Sequence, residues 1–397
     1  MKTKFHLGLL PRVLIAIALG IGVGFIAPLW LARIFATFNS VFSEFLGFII
    51  PLLIVGFVAP AIFEIGRNAG RMLVVTALIA YAMTFASGVM SYYISDLTFP
   101  SMIKADAYIV SQAAADTVAP YFTVAIDPLM NVMTALVLAF VLGLCLSRIS
   151  SDILRGVMLD FRQVINLTIS KAIIPLLPLY IFGIFLTMTI TGEVGSMLTT
   201  FAGIIVIIFA MHVGLLILQY VIASLFSGLN PFKALWCMMP AYFTALGTQS
   251  SAATIPVTLR QTVKMGVSED IAGFTIPLCA TIHMSGSCLK IVCCAVALML
   301  MQGKAIEPGM FIGFICMMGI AMVAAPGVPG GAIMAALGLL ASFLGFTEAD
   351  QALMIALYIA MDSFGTACNV TGDGAISQIV DRFFGNHLNP IPKEARM

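Results

Sequence analysis

Four side chains near the end of the chain carry the most chemistry. Asp362, Thr366, Asn369 and Asp373 stand at offsets of 4, 7 and 11. On a helix this spacing confines them to roughly a 60° sector of the surface. The flanking sequence is apolar enough to lie in lipid, where an ionised carboxylate costs several kcal/mol unless a cation meets it. No Lys or Arg lies between Lys304 and Arg382 to supply that cation locally. The two carboxylates therefore call for a substrate ammonium, bound metal cations, protons, or basic residues from elsewhere in the chain.

A second polar group precedes them. His283, Ser287 and Lys290 stand at offsets of 4 and 7, with Thr281 and Ser285 close by, and on an unbroken helix they form one stripe. A histidine can exchange a proton near neutral pH. Lys290 is the only basic residue between Lys264 and Lys304. Either residue could act as a coupling cation, and Lys290 could instead neutralise Asp362 or Asp373. His212 stands alone on an apolar segment and reads as a satisfied core residue.

These residues sit in a chain built for a bilayer. Of its 397 residues 61% are apolar and 9% charged, with a mean hydropathy of +1.09, where a soluble protein carries about a quarter charged residues. That excludes a soluble enzyme, a nucleic-acid binder and a disordered scaffold. The net charge of +1 offers no single-sign patch. The eight Cys (145, 237, 279, 288, 293, 294, 316 and 368) lack zinc or disulfide spacing and read as small hydrophobes. Met1 to Arg12 is basic, but the run that follows is long enough to span and has no small-residue cleavage pattern. It is expected to stay as the first helix.

About 20 apolar residues cross the hydrocarbon core, which predicts spans at 13–35, 41–63, 72–95, 125–147, 165–190 and 196–226. Lys2, Lys4 and Arg12, then Arg67 and Arg71, then Arg148, Arg155 and Arg162, then Lys233 fall on one side of this zigzag. By the positive-inside rule that side is cytoplasmic, and both termini with it. Beyond residue 230 the pattern changes. Small, polar and helix-breaking clusters, TALGTQSSAATIP at 244–256 and AAPGVPGGAIM at 324–334, interrupt segments 232–262 and 308–344. Each segment is long enough to enter and leave by the same side, and each is followed by a span, 268–301 or 350–382. Two matching units of broken segment plus helix mark an inverted-repeat transporter, whose broken backbone lines a central site.

At these motifs the sequence resembles the dicarboxylate/amino acid:cation symporter family, the glutamate transporter homologues. TQSSAATIP at Thr248–Pro256, GVPGG at Gly327–Gly331 and DSFGTACNVTGD at Asp362–Asp373 carry the resemblance, which covers nearly the whole chain. It implies an all-α membrane protein of the elevator type, with eight transmembrane helices, two re-entrant hairpins and trimeric assembly in the cell inner membrane. Residues 1–71 and 125–192 would form the scaffold. Residues 72–124 and 193–383 would form the moving transport domain, and 384–397 a cytoplasmic tail.

The resemblance also implies roles for individual residues. Ser251 would contact substrate at the first tip, with Gln249 beside it, and Gly327 and Val328 would belong to an extracellular gate. Asp362 would receive the substrate ammonium, flanked by Thr366 and Asn369, with Ser287 where the family has threonine. Asn369 and Asp373, with the carbonyls of Cys279 and His283, would hold a sodium ion. Thr281 would give a carbonyl to a second ion beside the glycine tip.

The departures are as informative. Acidic-substrate relatives carry an arginine where this chain has Gly365, and Gln249 also replaces an arginine. Without the arginine fork, a second substrate carboxylate would be buried unpaired. A small neutral amino acid such as serine, threonine or alanine is therefore expected. The family pattern Asn-Met-Asp-Gly-Thr reads His283-Met284-Ser285-Gly286-Ser287. A third sodium site, with Tyr81 and Thr84 as remaining ligands, is thus expected to be absent or replaced by protonation of His283. Three alternatives stand beside sodium symport of a neutral amino acid. One is a proton-coupled or sodium-independent carrier or exchanger. Another is an acidic amino acid or dicarboxylate carrier with Lys290 in place of the arginine. The last is an intramembrane hydrolase using Ser251 or Ser287 with His283, against which the absence of a GxSxG motif counts.

Overall fold

A computed structural model describes residues 9–67, 71–103, 118–149, 152–192, 194–323, 325 and 330–385. The described chain is helical: α1 (Leu9–Gly24), α2 (Leu29–Arg67), α3 (Arg71–Thr98), α4 (Val132–Arg148), α5 (Asp152–Thr168) and α6 (Ile174–Ile190) come first. They are followed by α7 (Val194–Ser227), α8 (Pro231–Cys237), α9 (Met239–Thr248), α10 (Ser251–Lys264), α11 (Glu269–Ile282) and α12 (Ser285–Met301). The last four are α13 (Pro308–Val323), α14 (Gly331–Leu344), α15 (Glu348–Ala360) and α16 (Asp362–Phe384). Among the described residues, five stretches are long and apolar enough to cross a membrane: Leu29–Pro60, Arg71–Ser101, Asp152–Ile190, Phe201–Ser227 and Glu269–Met301.

Several expected boundaries move. The span 13–35 divides, because α1 ends at Gly24 and the chain turns before Pro28, where the amide N–H groups of Ile26 and Ala27 bond the Val23 carbonyl. Helix α2 then runs for 39 residues through the expected break at 36–40, and Pro51 and Pro60 do not end it. Helix α4 starts later than residue 125, at the point where Asn131 caps it by accepting from the Thr134 amide. The span 165–190 is the distal part of a longer rod in which α5 continues through a π-turn at Ile169–Ile173 into α6. Wide turns of this kind occur mostly as single insertions in α-helices.

The first interrupted segment forms α8, α9 and α10, with α9 and α10 packed on each other across a two-residue tip. The second forms α13 and α14, also mutually packed; its residues 326–329, including Gly327 and Val328, lie outside the described residues. Both closing spans are broken. Helix α11 stops at Ile282 and α12 begins at Ser285, while α15 and α16 meet at Met361 with a bend of 63°.

Packing divides into two groups. Helix α4 lies on α2, α1 on α6, and both α5 and α6 on α2. In the other group α12 and α16 are central: α12 packs on α3, α7 and α16, and α16 on α7, α9, α10, α11 and α12. Every residue of α12 but one is buried, so this helix has no face for lipid.

Candidate functional site

The site is built where the two broken helices touch. Gly286, on the first turn of α12, sits so close to α16 that a Cβ there would fall 2.7 Å from the Gly365 carbonyl oxygen and 2.6 Å from the Cys368 Cβ. No other residue fits that gap. Across it, the side chain of Asn369 caps α12: its Oδ1 accepts from the amides of Gly286 (2.8 Å) and Ser287 (3.3 Å). These are amides that a helix start leaves without intrahelical partners. The Asn369 amide donates in turn to Ser287 Oγ at 3.0 Å, and the same oxygen accepts from the Tyr358 hydroxyl at 3.0 Å. From α3, Thr84 Oγ1 accepts from the Met284 amide at 3.3 Å, and Ser87 Oγ donates to the Ser285 carbonyl at 2.8 Å. The break is thus held by neighbouring helices.

On this frame stand the four polar residues of α16, all buried: Asp362 3%, Thr366 7%, Asn369 4% and Asp373 1% exposed. Both carboxylates find nitrogen partners in the preceding helix pair. Lys290, fully buried, donates from Nζ to Asp362 Oδ1 at 3.0 Å and to the carbonyls of Tyr358 and Met361 at 3.4 Å each. Its ammonium also lies 3.3 Å from the centre of the Tyr358 ring, a cation–π contact. The second carboxylate oxygen, Asp362 Oδ2, accepts from the amide of Gly330 at 2.8 Å. About three turns further along α16, His283 Nδ1 lies 2.9 Å from Asp373 Oδ1. A carboxylate oxygen in this pair accepts, so Nδ1 carries the hydrogen.

The structure corrects the second stripe. His283 is extended backbone at the end of α11, and Ser287 and Lys290 belong to α12, so the three do not share one helix face. The break turns His283 towards Asp373, while Lys290 reaches Asp362. Space for each is provided by a glycine. A Cβ at Gly365 would meet Lys290 Nζ at 2.9 Å, and one at Gly372 would meet His283 Cε1 and Gln219 Oε1 at 2.6 Å each.

Other residues singled out in the sequence are placed as follows. Gln249 is the one non-glycine among the described residues with a left-handed backbone, φ 53°, at the tip between α9 and α10. Its side-chain amide donates to Ser363 Oγ at 3.0 Å, tying the tip to the start of α16. Ser251 is buried at the first turn of α10, which Ser250 caps. The Cys279 carbonyl accepts the His283 amide at 2.9 Å, and Thr281 is exposed with its hydroxyl donating to its own helix at Leu278. Tyr81 donates to the carbonyl of Cys316 on α13 at 3.2 Å, while Thr84 accepts the Met284 amide. His212 donates from Nε2 to the Gly286 carbonyl at 2.9 Å, and its Nδ1 has no partner; it is core, but half satisfied. The ring nitrogens of His283 face Asp373 and Gln219, not a serine hydroxyl. Among the described residues no cluster of three His, Cys, Asp or Glu side chains is arranged to hold a metal.

Two residues escaped the sequence analysis. Gln219 donates to Ser285 Oγ at 3.0 Å and lies 3.5 Å from His283 Nε2. The signal was present, as an amide in the middle of a 34-residue apolar helix. Tyr358 carried no comparable mark, and Gly330, within the glycine tip already singled out, adds its amide to Asp362.

This arrangement of two interrupted helix pairs around buried, internally paired carboxylates can be set against known proteins. The profile of the sodium:dicarboxylate symporter family matches residues 9–383. The chain belongs to the sodium:dicarboxylate symporter family. Among curated relatives of this symporter family, the serine/threonine transporter SstT of Acinetobacter baumannii is 27% identical over 395 residues, covering 95% of this chain and 97% of that protein. Excitatory amino acid transporter 2 of Mus musculus is 30% identical over 169 residues, 42% of this chain and 29% of that protein; the human protein matches equally. The family and these relatives are transporters, so the protein is a multi-pass membrane transporter and not an enzyme. Within the family frame, the chain carries a lysine and a histidine on the two carboxylates of its last helix.

Proposed function

We propose that the protein is a secondary active carrier of a small neutral amino acid, with serine, threonine and alanine as first candidates, coupled to a cation. The observation that carries this reading is Gly365. Its Cβ position is filled by the Lys290 side chain, so the site has neither an arginine fork nor room for one. All three ammonium protons of Lys290 are directed at Asp362 and two carbonyls, which leaves none for a second substrate carboxylate. Both points disfavour an acidic substrate. The near full-length similarity to a serine/threonine transporter supports the same class.

In this reading α1, α2, α4, α5 and α6 form a trimerising scaffold. Helices α3 and α7–α16 form a transport domain that crosses the bilayer as an elevator, with α9–α10 and α13–α14 as re-entrant hairpins. The substrate carboxylate would meet Ser251 and the Thr366–Asn369 face, and its ammonium would meet Asp362. Sodium is the ion the family implies, with Asp373 and the carbonyls of Cys279, His283 and Asn369 as its oxygen ligands, a donor set suited to a hard cation. Such an ion binds to the conformation that also binds substrate, and that shared preference couples the fluxes.

One observation favours a second reading of the coupling. The imidazole of His283 already donates to Asp373 at 2.9 Å, where a sodium ion would otherwise supply the charge. A carrier driven by protons, or exchanging without net ion flux, fits that contact. Counterflow of radiolabelled serine, threonine and alanine in proteoliposomes tests the transport reading. Repeating it with and without a sodium gradient, and across pH, separates the two couplings. Absence of counterflow for all three amino acids would remove the neutral amino acid reading.

A further inference from the structure

Asp362 is fully engaged within the protein. Its Oδ1 holds the Lys290 ammonium and its Oδ2 the Gly330 amide. The lysine is equally committed, since three N–H bonds meet three oxygens and the Tyr358 ring covers the ammonium. The side chain also lies in the space over Gly365, so it reaches Asp362 across the gap between α12 and α16 without obstruction. An ammonium tethered 3.0 Å from the carboxylate competes at a far higher local concentration than any free solute.

We propose that Lys290 is the resident ammonium of the Asp362 site, and that substrate loading is an exchange in which the amino acid's ammonium displaces it. This inference rests on the amino acid reading above. It has two consequences. The unloaded protein never presents a bare carboxylate to the bilayer, so it can reset without taking a cation from solution. Substrate binding, in turn, is weaker than an uncompensated Asp362 would give.

The test uses full-length protein in proteoliposomes with L-[3H]serine as probe, following both net uptake into serine-free vesicles and serine/serine counterflow. For Lys290→Met the expected result is a serine Kd tighter by about tenfold, and a ratio of net uptake to counterflow lower by about tenfold. Only net uptake requires the empty carrier to return. Ammonium chloride inside the vesicles should raise that ratio again, because a free ammonium can occupy the vacated place; a purely structural lysine would show no such rescue. Proportional loss of both fluxes with no rescue would overturn the proposal. Should Lys290→Met fail to fold, a structure of the wild-type protein saturated with serine decides. Lys290 Nζ is expected to have left Asp362, and finding it still paired would overturn the proposal. A wild-type protein with no counterflow of serine, threonine or alanine would instead strike the amino acid reading itself.

Discussion

The backbone of Gly365 lies against the side chain of Lys290 so closely that a single added methyl would fall 2.9 Å from the ammonium nitrogen. Lys290 on α12 thus fills the place that any side chain at position 365 of α16 would take, so a cation on one helix excludes a cation on the other.

Gly365→Arg should therefore be strongly destabilising, because it forces a second cation and a large side chain into space already filled. Its melting temperature in detergent is expected to fall, and serine counterflow to disappear. Combining it with Lys290→Met moves the cation from α12 to α16 and should recover most of the melting temperature. The double variant is also expected to bind aspartate, read as ligand-induced thermal stabilisation. A double variant no more stable than Gly365→Arg alone would contradict this account.

The Lys290–Asp362 pair is 0% and 3% exposed, so removing one partner strands the other charge. Asp362→Asn or Lys290→Met alone should cost roughly 3–5 kcal/mol, while the double substitution costs much less than their sum. Denaturation of the four proteins in a double-mutant cycle measures the coupling. Additive costs would show that the two groups do not depend on each other.

Asn369→Ala removes the acceptor for two amides at the start of α12 and the donor to Ser287. The loss should be about 1–3 kcal/mol from stability, together with loss of serine binding. Hydrogen exchange is the sharper measurement: faster exchange is expected at Gly286 and Ser287, and unchanged rates at the distal end of α12.

His283→Asn introduces the asparagine that the family resemblance implies at this position and withdraws the imidazole donor from Asp373. Sodium, compared with choline, should then raise the melting temperature of the variant more than that of the wild type. Equal sodium responses would mean that the imidazole does not compete with the ion.

Much of this was legible in the sequence. The spacing from Asp362 to Asp373 places four polar groups on one buried face, and the two broken segments read as interrupted helices because Gly, Pro and Ser clusters leave a local trace. The breaks at His283–Met284 and at Met361 left none. Neither has a proline or a glycine at the break itself, and the backbone groups freed there are met by partners from elsewhere: Thr84 and Asn369 at the first break and Lys290 at the second. For the same reason His283, Ser287 and Lys290 looked like one stripe when they are two. Gln219 was visible as an amide among apolar residues, but which neighbour it serves depends on α7 lying beside the break.

Helix α12 has no lipid-facing side, and it is bonded at its start to α3, α7 and α16. It cannot slip past any of these without tearing several polar contacts at once. The lysine–aspartate couple is thus rooted in a helix locked to three neighbours, and under the proposed elevator reading it would travel with them as one body, sliding against the bundle built on α2.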